Sequence, residues 1–165
     1  MFVSRTAIAV VGSGSSSGPA VSDARELGRL IAENGWVLIT GGRDAGVMRA
    51  ANEGAKSAKQ SLTIGILPDA NTRVSPAVDV AIVTGAGEAR NNIIVLSGDV
   101  IIACGVEDPG TTSEVALALK NIKPVIILGA GDAAREFFRN IAGDNIRFVE
   151  TPQQAVQMAR YLLGM

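Results

Sequence analysis

Histidine is absent from this chain of 165 residues. The most common general base, proton shuttle and metal ligand of enzymes is therefore missing. We expect no zinc chemistry, and carboxylates would have to carry out any proton transfer. The chain has one cysteine, Cys104, which excludes an internal disulfide and is typical of a protein in a reducing cytoplasm.

The chain also lacks an excess of charge of either sign, since it has 15 basic and 16 acidic side chains. Such a balance argues against binding a nucleic acid backbone or an anionic membrane surface through a general field. No apolar run reaches the length of a membrane span, and residues 1–12 lack the features of a signal peptide. We predict a soluble, cytoplasmic protein with no membrane and no nucleic acid partner.

Apolar residues make up 47% of the chain, enough for a large core, and we predict a single domain over residues 1–165. Short runs rich in Val and Ile alternate with stretches of helical period, which is typical of repeated βαβ units. We predict an α/β fold, a Rossmann-like three-layer sandwich with a mostly parallel sheet of about seven strands flanked by helices. The predicted strands are 7–11, 36–39, 62–67, 78–83, 99–104, 124–128 and 146–149.

Capping signals and periodicity place the helices between these strands. We expect helices that begin at Pro19, after a cap at Asp44, over 88–97, 112–120 and 132–142, and after a cap at Thr151. The loops before these helices share the carboxyl edge of the sheet, where open parallel sheets bind ligands. Four of the loops have unusual compositions, namely 12–18, 40–48, 87–92 and 105–114.

The first of these loops, GSGSSSG, has Gly12 and Gly14 but misses the spacing of a dinucleotide fingerprint, because Ser17 stands in place of the third glycine and Gly18 comes one residue late. A standard NAD site is therefore disfavoured. The serines can still donate hydrogen bonds to a phosphate or a polar ring, while a mobile Ser/Gly connection is the alternative that this motif leaves open. The candidate ligand-binding residues here are Gly12, Ser13, Gly14 and Ser15.

The next two loops supply candidates of a different kind. Gly41 and Gly42 follow an apolar strand directly, where two residues without Cβ atoms let a ligand come close. Arg90 lies near a helix start on the same edge and can bind a phosphate through two parallel hydrogen bonds, with Asn91 beside it. An ordinary tight turn and a solvated helical arginine are the structural alternatives.

The fourth loop, within GVEDPGTTSEVALALK at 105–120, runs into a helix start, where free backbone N–H groups and the helix dipole favour phosphate. Thr111 and Glu114 have the T-x-x-E spacing of a capping box with Thr111 as the N-cap. Glu114 thus has a purely structural alternative to catalysis.

Three segments together resemble the Lonely Guy (LOG) family. TGGRDAGVMRAANEGA resembles its GGG-x-x-GLM segment, and ARNNIIVLSGDVIIACG followed by PGTTSEVALALK resembles its arginine helix and its PGG-x-GT-x-x-E loop. LOG proteins are Rossmann-like phosphoribohydrolases that release a base from a nucleoside 5′-monophosphate. The resemblance implies a catalytic pair, Arg90 and Glu114, and a phosphate cradle of Gly110, Thr111 and Thr112.

Departures from the LOG pattern favour a sister family. Where the LOG enzymes have Pro-Gly-Gly, this chain reads Cys104-Gly105-Val106-Glu107-Asp108-Pro109-Gly110, and where they have Arg-Lys it reads Arg90-Asn91. The chain is more similar to the molybdenum cofactor carrier proteins than to the LOG enzymes in three features taken together. These are RNN, a strand ending in ACG, and PGTTSEVALALK. These bind the molybdenum cofactor (molybdopterin), a pterin phosphate, protect it and transfer it without a reaction of their own. The resemblance implies a carried ligand and no metal bound by side chains.

Three functions therefore stand as hypotheses: a cofactor carrier, which we favour, a LOG-type phosphoribohydrolase, and a nucleotide sensor or DNA-processing accessory. In the carrier, the phosphate binds at 110–112 and the 12–18 loop lies near the pterin. The resembling families form dimers or tetramers, and helices rich in Ala and Val fit a homo-oligomer. A carrier also implies a molybdoenzyme or a cofactor-biosynthesis enzyme as a partner.

Overall fold

The computed structural model describes residues 5–165. Residues 1–4, which belong to the segment 1–12 considered for a signal peptide, lie outside the described residues. The strands are β1 (Ala7–Val11), β2 (Val37–Thr40), β3 (Leu62–Leu67), β4 (Val80–Val83), β5 (Val100–Cys104), β6 (Val125–Leu128) and β7 (Ile146–Val149). The helices are α1 (Pro19–Glu33), α2 (Gly46–Lys56), α3 (Arg90–Ser97), α4 (Pro109–Lys120), α5 (Asp132–Ala142) and α6 (Pro152–Leu162). No helix in this described range is long and apolar enough to cross a membrane.

The seven strands form one sheet in the order β4-β3-β2-β1-β5-β6-β7, and every neighbouring pair is parallel. The predicted Rossmann-like α/β fold is confirmed. Chain order reverses between β1 and β5, which pair through Ile8 and Val100. Such a reversal leaves a crevice at the carboxyl edge of a parallel sheet.

Two apolar layers cover the two faces of the sheet, because successive side chains of a strand point to opposite sides. In β5, Val100 and Ile102 join a core formed with α1, α2 and α6. Ile101 and Ala103 join the other core, formed with α3, α4 and α5. Burial on both faces thus explains the continuous apolar runs of the central strands, whereas the edge strand β4 is exposed.

Helices α1 and α2 pack with almost no space between their backbones. A Cβ atom on Gly28 would lie 2.0 Å from the carbonyl oxygen of Ala51, and one on Gly54 would lie 1.8 Å from that of Arg25. Only glycine fits at both positions. This close contact fixes the position of α2 against α1.

Helix ends agree with the sequence predictions at some elements and differ at others. The starts at Pro19 and after Thr151 are confirmed, and the Thr151 hydroxyl accepts a hydrogen bond from the Gln154 N–H at 3.2 Å. The predicted cap at Asp44 is wrong, since Ala45 holds the cap position and the Asp44 carboxylate pairs with Arg73 at 2.9 Å.

The two helices nearest the crevice also begin at other residues than predicted. One helix was predicted over 88–97, but the structure has a short 3₁₀ turn, Gly87–Ala89, and α3 begins only at Arg90. The fourth helix begins at Pro109, three residues earlier than the predicted 112. A proline at the first helical position loses no hydrogen bond, so it starts this helix instead of ending the loop.

Candidate functional site

A cleft lies at the carboxyl edge of the sheet, next to the reversal between β1 and β5. Its walls are the loops that follow β1 and β2 and the first turns of α3 and α4. The empty volume is about 430 Å³. The cleft therefore lies where open parallel sheets bind their ligands.

The loop after β1 is held against the start of α2. The Ser13 carbonyl accepts a hydrogen bond from the Val47 N–H at 3.1 Å, and the Ser13 hydroxyl oxygen accepts one from the Ser15 N–H at 3.1 Å. A Cβ on Gly12 would lie 2.6 Å from the Val47 side chain. This packing fixes the conformation in which Gly12, Ser13 and Gly14 line the cleft.

The glycine pair after β2 makes room for an arginine. The Gly42 N–H donates to the Thr40 hydroxyl oxygen at 3.1 Å, and Gly42 has a positive φ of 72°. A Cβ on Gly41 would lie 2.5 Å from Nη1 of Arg90 and 2.6 Å from Sδ of Met48. The guanidinium of Arg90 thus occupies the space that the missing side chain leaves.

Arg90 is a buried cation in the wall of the cleft. The residue is 4% exposed, and its Nε has no hydrogen-bond partner among residues 5–165. Burial lowers the pKa of Arg90, while the charge of Glu114 opposes that change. A buried cation with an unsatisfied donor is costly, so an anion bound beside it would be stabilising.

Asp108 holds the N-cap position of α4. Its carboxylate accepts hydrogen bonds from the Thr111 N–H at 3.0 Å and from the Thr111 hydroxyl at 2.8 Å. The predicted capping box with Thr111 as N-cap is therefore wrong, and Glu114 has no part in the cap. The Thr112 hydroxyl donates to the Asp108 carbonyl at 2.8 Å, so it is used by the helix itself.

Glu114 is a buried carboxyl group that faces the cleft. It is 7% exposed and makes no side-chain hydrogen bond or ion pair within residues 5–165. Burial raises its pKa from 4.5 to about 7; Arg90 lowers it, and the charges of Asp108 and Glu88 raise it further. The group therefore changes its protonation near neutral pH.

Two side-chain pairs connect the walls of the cleft. Asn91 donates through Nδ2 to the Ser113 hydroxyl oxygen at 3.2 Å, which joins α3 to α4. At the rim, Arg43 forms an ion pair with Glu88 at 3.1 Å, and both side chains are exposed. An exposed pair of this kind contributes little to stability, so Arg43 is available to an anionic ligand.

A second pocket adjoins the first across the serine loop, with an empty volume of about 830 Å³. Cys104 lies at its base, and burial raises the pKa of its thiol to about 12. Such a thiol is a poor nucleophile. Within residues 5–165 no cluster of three or more His, Cys, Asp or Glu side chains is placed to hold a metal ion.

The sequence profile of the SLOG cluster4 family, within the LOG-like superfamily, matches residues 5–158. The chain belongs to the SLOG cluster4 family. This SLOG protein is 38% identical over 155 residues to an uncharacterised protein of Archaeoglobus fulgidus, covering 90% of this chain and 91% of the other.

Two solved structures are similar to this SLOG protein along almost its whole length. The molybdenum cofactor binding protein of Rippkaea orientalis is 50% identical, with a TM-score of 0.92 over 98% of this chain and 99% of that one. The molybdenum cofactor carrier protein of Chlamydomonas reinhardtii is 43% identical, with a TM-score of 0.91 over 98% and 100%. The resemblance to molybdenum cofactor carriers is thereby confirmed.

Most of the predicted site residues of this SLOG protein lie together in the cleft. Gly12, Ser13, Gly14 and Gly41 line one side of it, and Arg90, Asn91, Gly110, Thr111 and Glu114 line the other. Three others lie apart from its lining. Ser15 lines the second pocket, Gly42 packs on Gly65, and the Thr112 hydroxyl bonds the backbone of α4.

Several lining residues were not predicted. Arg43 and Met48 both follow the glycine pair in TGGRDAGVM, and Glu88 precedes the third helix. They reach the cleft through tertiary packing, which no local pattern shows. Asp108 is different, because an Asp directly before a Pro is a recognisable N-cap signal that could have placed the helix start correctly.

Proposed function

We propose that this protein is a cytoplasmic carrier that binds the molybdenum cofactor, a pterin phosphate, protects it and transfers it. The single observation that carries the proposal is Arg90, a buried cation whose Nε has no partner among the described residues and which lines the cleft. A bound phosphate would supply the missing acceptor and charge. The choice of cofactor rests on the two neighbours at 50% and 43% identity.

The phosphate would bind between the arginine and the start of α4. Gly110 and Thr111 lie in the first turn of α4, where the helix dipole favours an anion. Ser13 and the glycines beside it offer further donors from the opposite side.

Equilibrium binding tests the proposal directly. Purified protein is titrated under anaerobic conditions with molybdenum cofactor released from a molybdoenzyme, and Arg90→Gln is compared with the surface control Arg25→Gln. We expect saturable binding, roughly tenfold to hundredfold weaker for Arg90→Gln, because a hydrogen bond to a charged group is lost. Tight binding of AMP with no binding of the cofactor would overturn the proposal.

A phosphoribohydrolase is the second candidate, and one observation favours it. Glu114 has a pKa raised to about 7 beside the cationic Arg90, and a carboxyl group of that pKa can act as a general acid or base at neutral pH. Incubation with AMP or a cytokinin ribotide would then release ribose 5-phosphate, and Glu114→Ala would abolish the release. A panel of nucleotides that stays intact would rule it out.

We also propose that the chain forms one domain that assembles into a homo-oligomer, a dimer or a tetramer. Large apolar side chains are exposed on β4 and α3, namely Val80, Ile82, Val83, Ile93 and Leu96. Such a group of side chains is unusual on a monomer surface. Light scattering should give a multiple of the chain mass, and Val83→Glu should lower it. A monomer at all concentrations would contradict this.

The receiving partner would be a molybdoenzyme or a cofactor-biosynthesis enzyme.

A further inference from the structure

Glu114 differs from Asp44, another shielded carboxylate near the site, in having no hydrogen-bond or ion-pair partner among residues 5–165. The side chain of Asp44 is 6% exposed and pairs with Arg73 at 2.9 Å. Glu114 is similarly buried, yet no residue of the range 5–165 donates a hydrogen bond to it. Its two oxygen atoms therefore remain as acceptors in the wall of the cleft.

A phosphate is not the group that would satisfy this carboxylate. Two anions repel each other, and both the ionised and the protonated forms of a buried carboxyl group need hydrogen-bond partners. Arg90 already offers the cleft a cationic donor for the anionic end. The part of a ligand that meets Glu114 should therefore carry no negative charge and should present hydrogen-bond donors, either N–H or O–H.

The ring of a pterin carries such donors. Its 2-amino-4-oxopyrimidine edge presents an amino group and a ring N–H side by side, so two parallel hydrogen bonds can reach the two oxygens of one carboxylate. This is the same geometry as the paired bonds between a guanidinium and a carboxylate. Guanine has the same edge, whereas adenine presents a donor beside an acceptor.

We propose that Glu114 recognises the 2-amino-4-oxopyrimidine edge of the ligand by accepting two hydrogen bonds, while Arg90 binds its anionic end. The inference rests on the proposed cofactor-binding function and adds the source of ring specificity. It assigns Glu114 to recognition and accounts for its burial without a catalytic step. Adenine nucleotides bind weakly for the same reason, because an acceptor of the ring would face the carboxylate.

Nucleotide monophosphates of different rings test this assignment, since they share the phosphate and differ at the edge. Binding of GMP, IMP and AMP is measured by calorimetry for the wild type, for Glu114→Gln and for Glu107→Gln. Glu107 is an exposed residue of the same loop and serves as the matched control. Thermal unfolding shows that each variant is folded, and the molybdenum cofactor is titrated in parallel.

We expect the wild type to prefer GMP over AMP by at least about tenfold, with IMP between them because it lacks the amino donor. Glu114→Gln replaces one acceptor by a donor, so the preference should disappear and AMP should gain, because an amide pairs well with adenine. Glu107→Gln should keep the wild-type ratio. A change of the ratio cannot arise from a purely structural role of Glu114.

The outcomes separate this inference from the carrier proposal. If the cofactor binds but GMP and AMP bind equally, or if Glu114→Gln leaves their ratio unchanged, the recognition by Glu114 is wrong and the carrier proposal remains. If a GMP preference depends on Glu114 but the cofactor does not bind, the recognition holds and the carrier proposal fails. If the wild type binds none of these molecules, both are wrong.

Discussion

The carboxylate of Asp108 accepts both hydrogen bonds that Thr111 can donate, one from its backbone N–H at 3.0 Å and one from its hydroxyl at 2.8 Å. An acidic side chain thus lies at the start of α4, where a phosphate is proposed to bind. The negative charge stabilises the helix end and at the same time opposes a second anion there.

Replacement of Asp108 by Asn should strengthen binding of a phosphorylated ligand. The amide keeps an acceptor for the Thr111 N–H, while the charge that repels the phosphate is removed. We expect the affinity for the cofactor to rise by about threefold to tenfold, in line with a surface-accessible charge interaction of roughly 1 kcal/mol. Calorimetry at low salt measures it.

The same position gives a control for the cap. Asp108→Ala removes the acceptor as well as the charge, so the free energy of unfolding should fall by about 0.5 to 2 kcal/mol. Denaturant unfolding of the two variants separates the cap from the charge. Unchanged affinity in both variants would place the phosphate away from the start of α4.

Replacement of Gly41 by Ala should displace Arg90 from the cleft. The new Cβ would lie 2.5 Å from Nη1 of Arg90, and the guanidinium must shift to relieve the contact. We expect cofactor affinity to fall by at least about tenfold, because the anion loses a charged donor. The control is Gly131→Ala, where a Cβ meets no atom within 4 Å.

A folded Gly41→Ala variant that binds the cofactor as tightly as the wild type would show that the position of Arg90 is not needed. Circular dichroism and the melting temperature establish that the variant is folded. Overpacking in a tight site costs typically about 1 to 3 kcal/mol, so some loss of stability accompanies the loss of binding.

The central strands were predictable because the sheet is buried on both faces there, which leaves continuous runs of Val and Ile in β1, β5 and β6. The carboxyl-edge loops followed from the order of strand and helix, so the predictions of Gly12, Gly41 and Arg90 as cleft residues needed no knowledge of contacts. The start of α4 was misplaced because Pro109-Gly110 has the composition of a loop, although both residues are helical.

Side chains that reach the cleft from elsewhere could not be predicted in this way. The lack of a partner for Nε of Arg90 within the described range 5–165, and the close approach of Gly41 to its guanidinium, depend on how α3 lies against β2. Sequence spacing says which residues share an edge, but it does not say which atoms are left without partners. The proposed function depends on such atoms.

Replacement of Gly54 by Ala should destabilise the fold strongly. A Cβ there would lie 1.8 Å from the Arg25 carbonyl oxygen, a backbone atom that cannot rotate away. Helices α1 and α2 must then move apart, and we expect a loss of at least about 2 kcal/mol in spite of the better helix propensity of alanine. Urea unfolding checks this, with the exposed helical site Asn140→Ala as control. Stability equal to the wild type would contradict the close packing.

The stability of the protein should carry a pH dependence that belongs to Glu114. Its pKa is about 7 in the folded protein, raised mainly by burial from 4.5. Between these two values the folded state holds a proton that the unfolded state has released, so the contribution of this group to stability falls as pH rises from about 4.5 to about 7 and stays constant above. Arg90 limits the effect, while Asp108 and Glu88 increase it.

Glu114→Gln isolates this contribution, because several other carboxylates, among them Asp79, titrate in the opposite sense. Lys56 and hydrogen bonds from Thr63 lower the pKa of Asp79 against the opposing effect of burial, so Asp79 stabilises the fold at neutral pH and loses that contribution in acid. The contribution of Asp79 is the same in both proteins, so it cancels when the free energies of unfolding of variant and wild type are subtracted. We expect the variant to gain about 2 to 4 kcal/mol relative to the wild type between pH 4.5 and pH 7.5. Urea unfolding across this range measures the difference, and a constant difference would mean that the carboxyl group of Glu114 titrates normally in the folded protein.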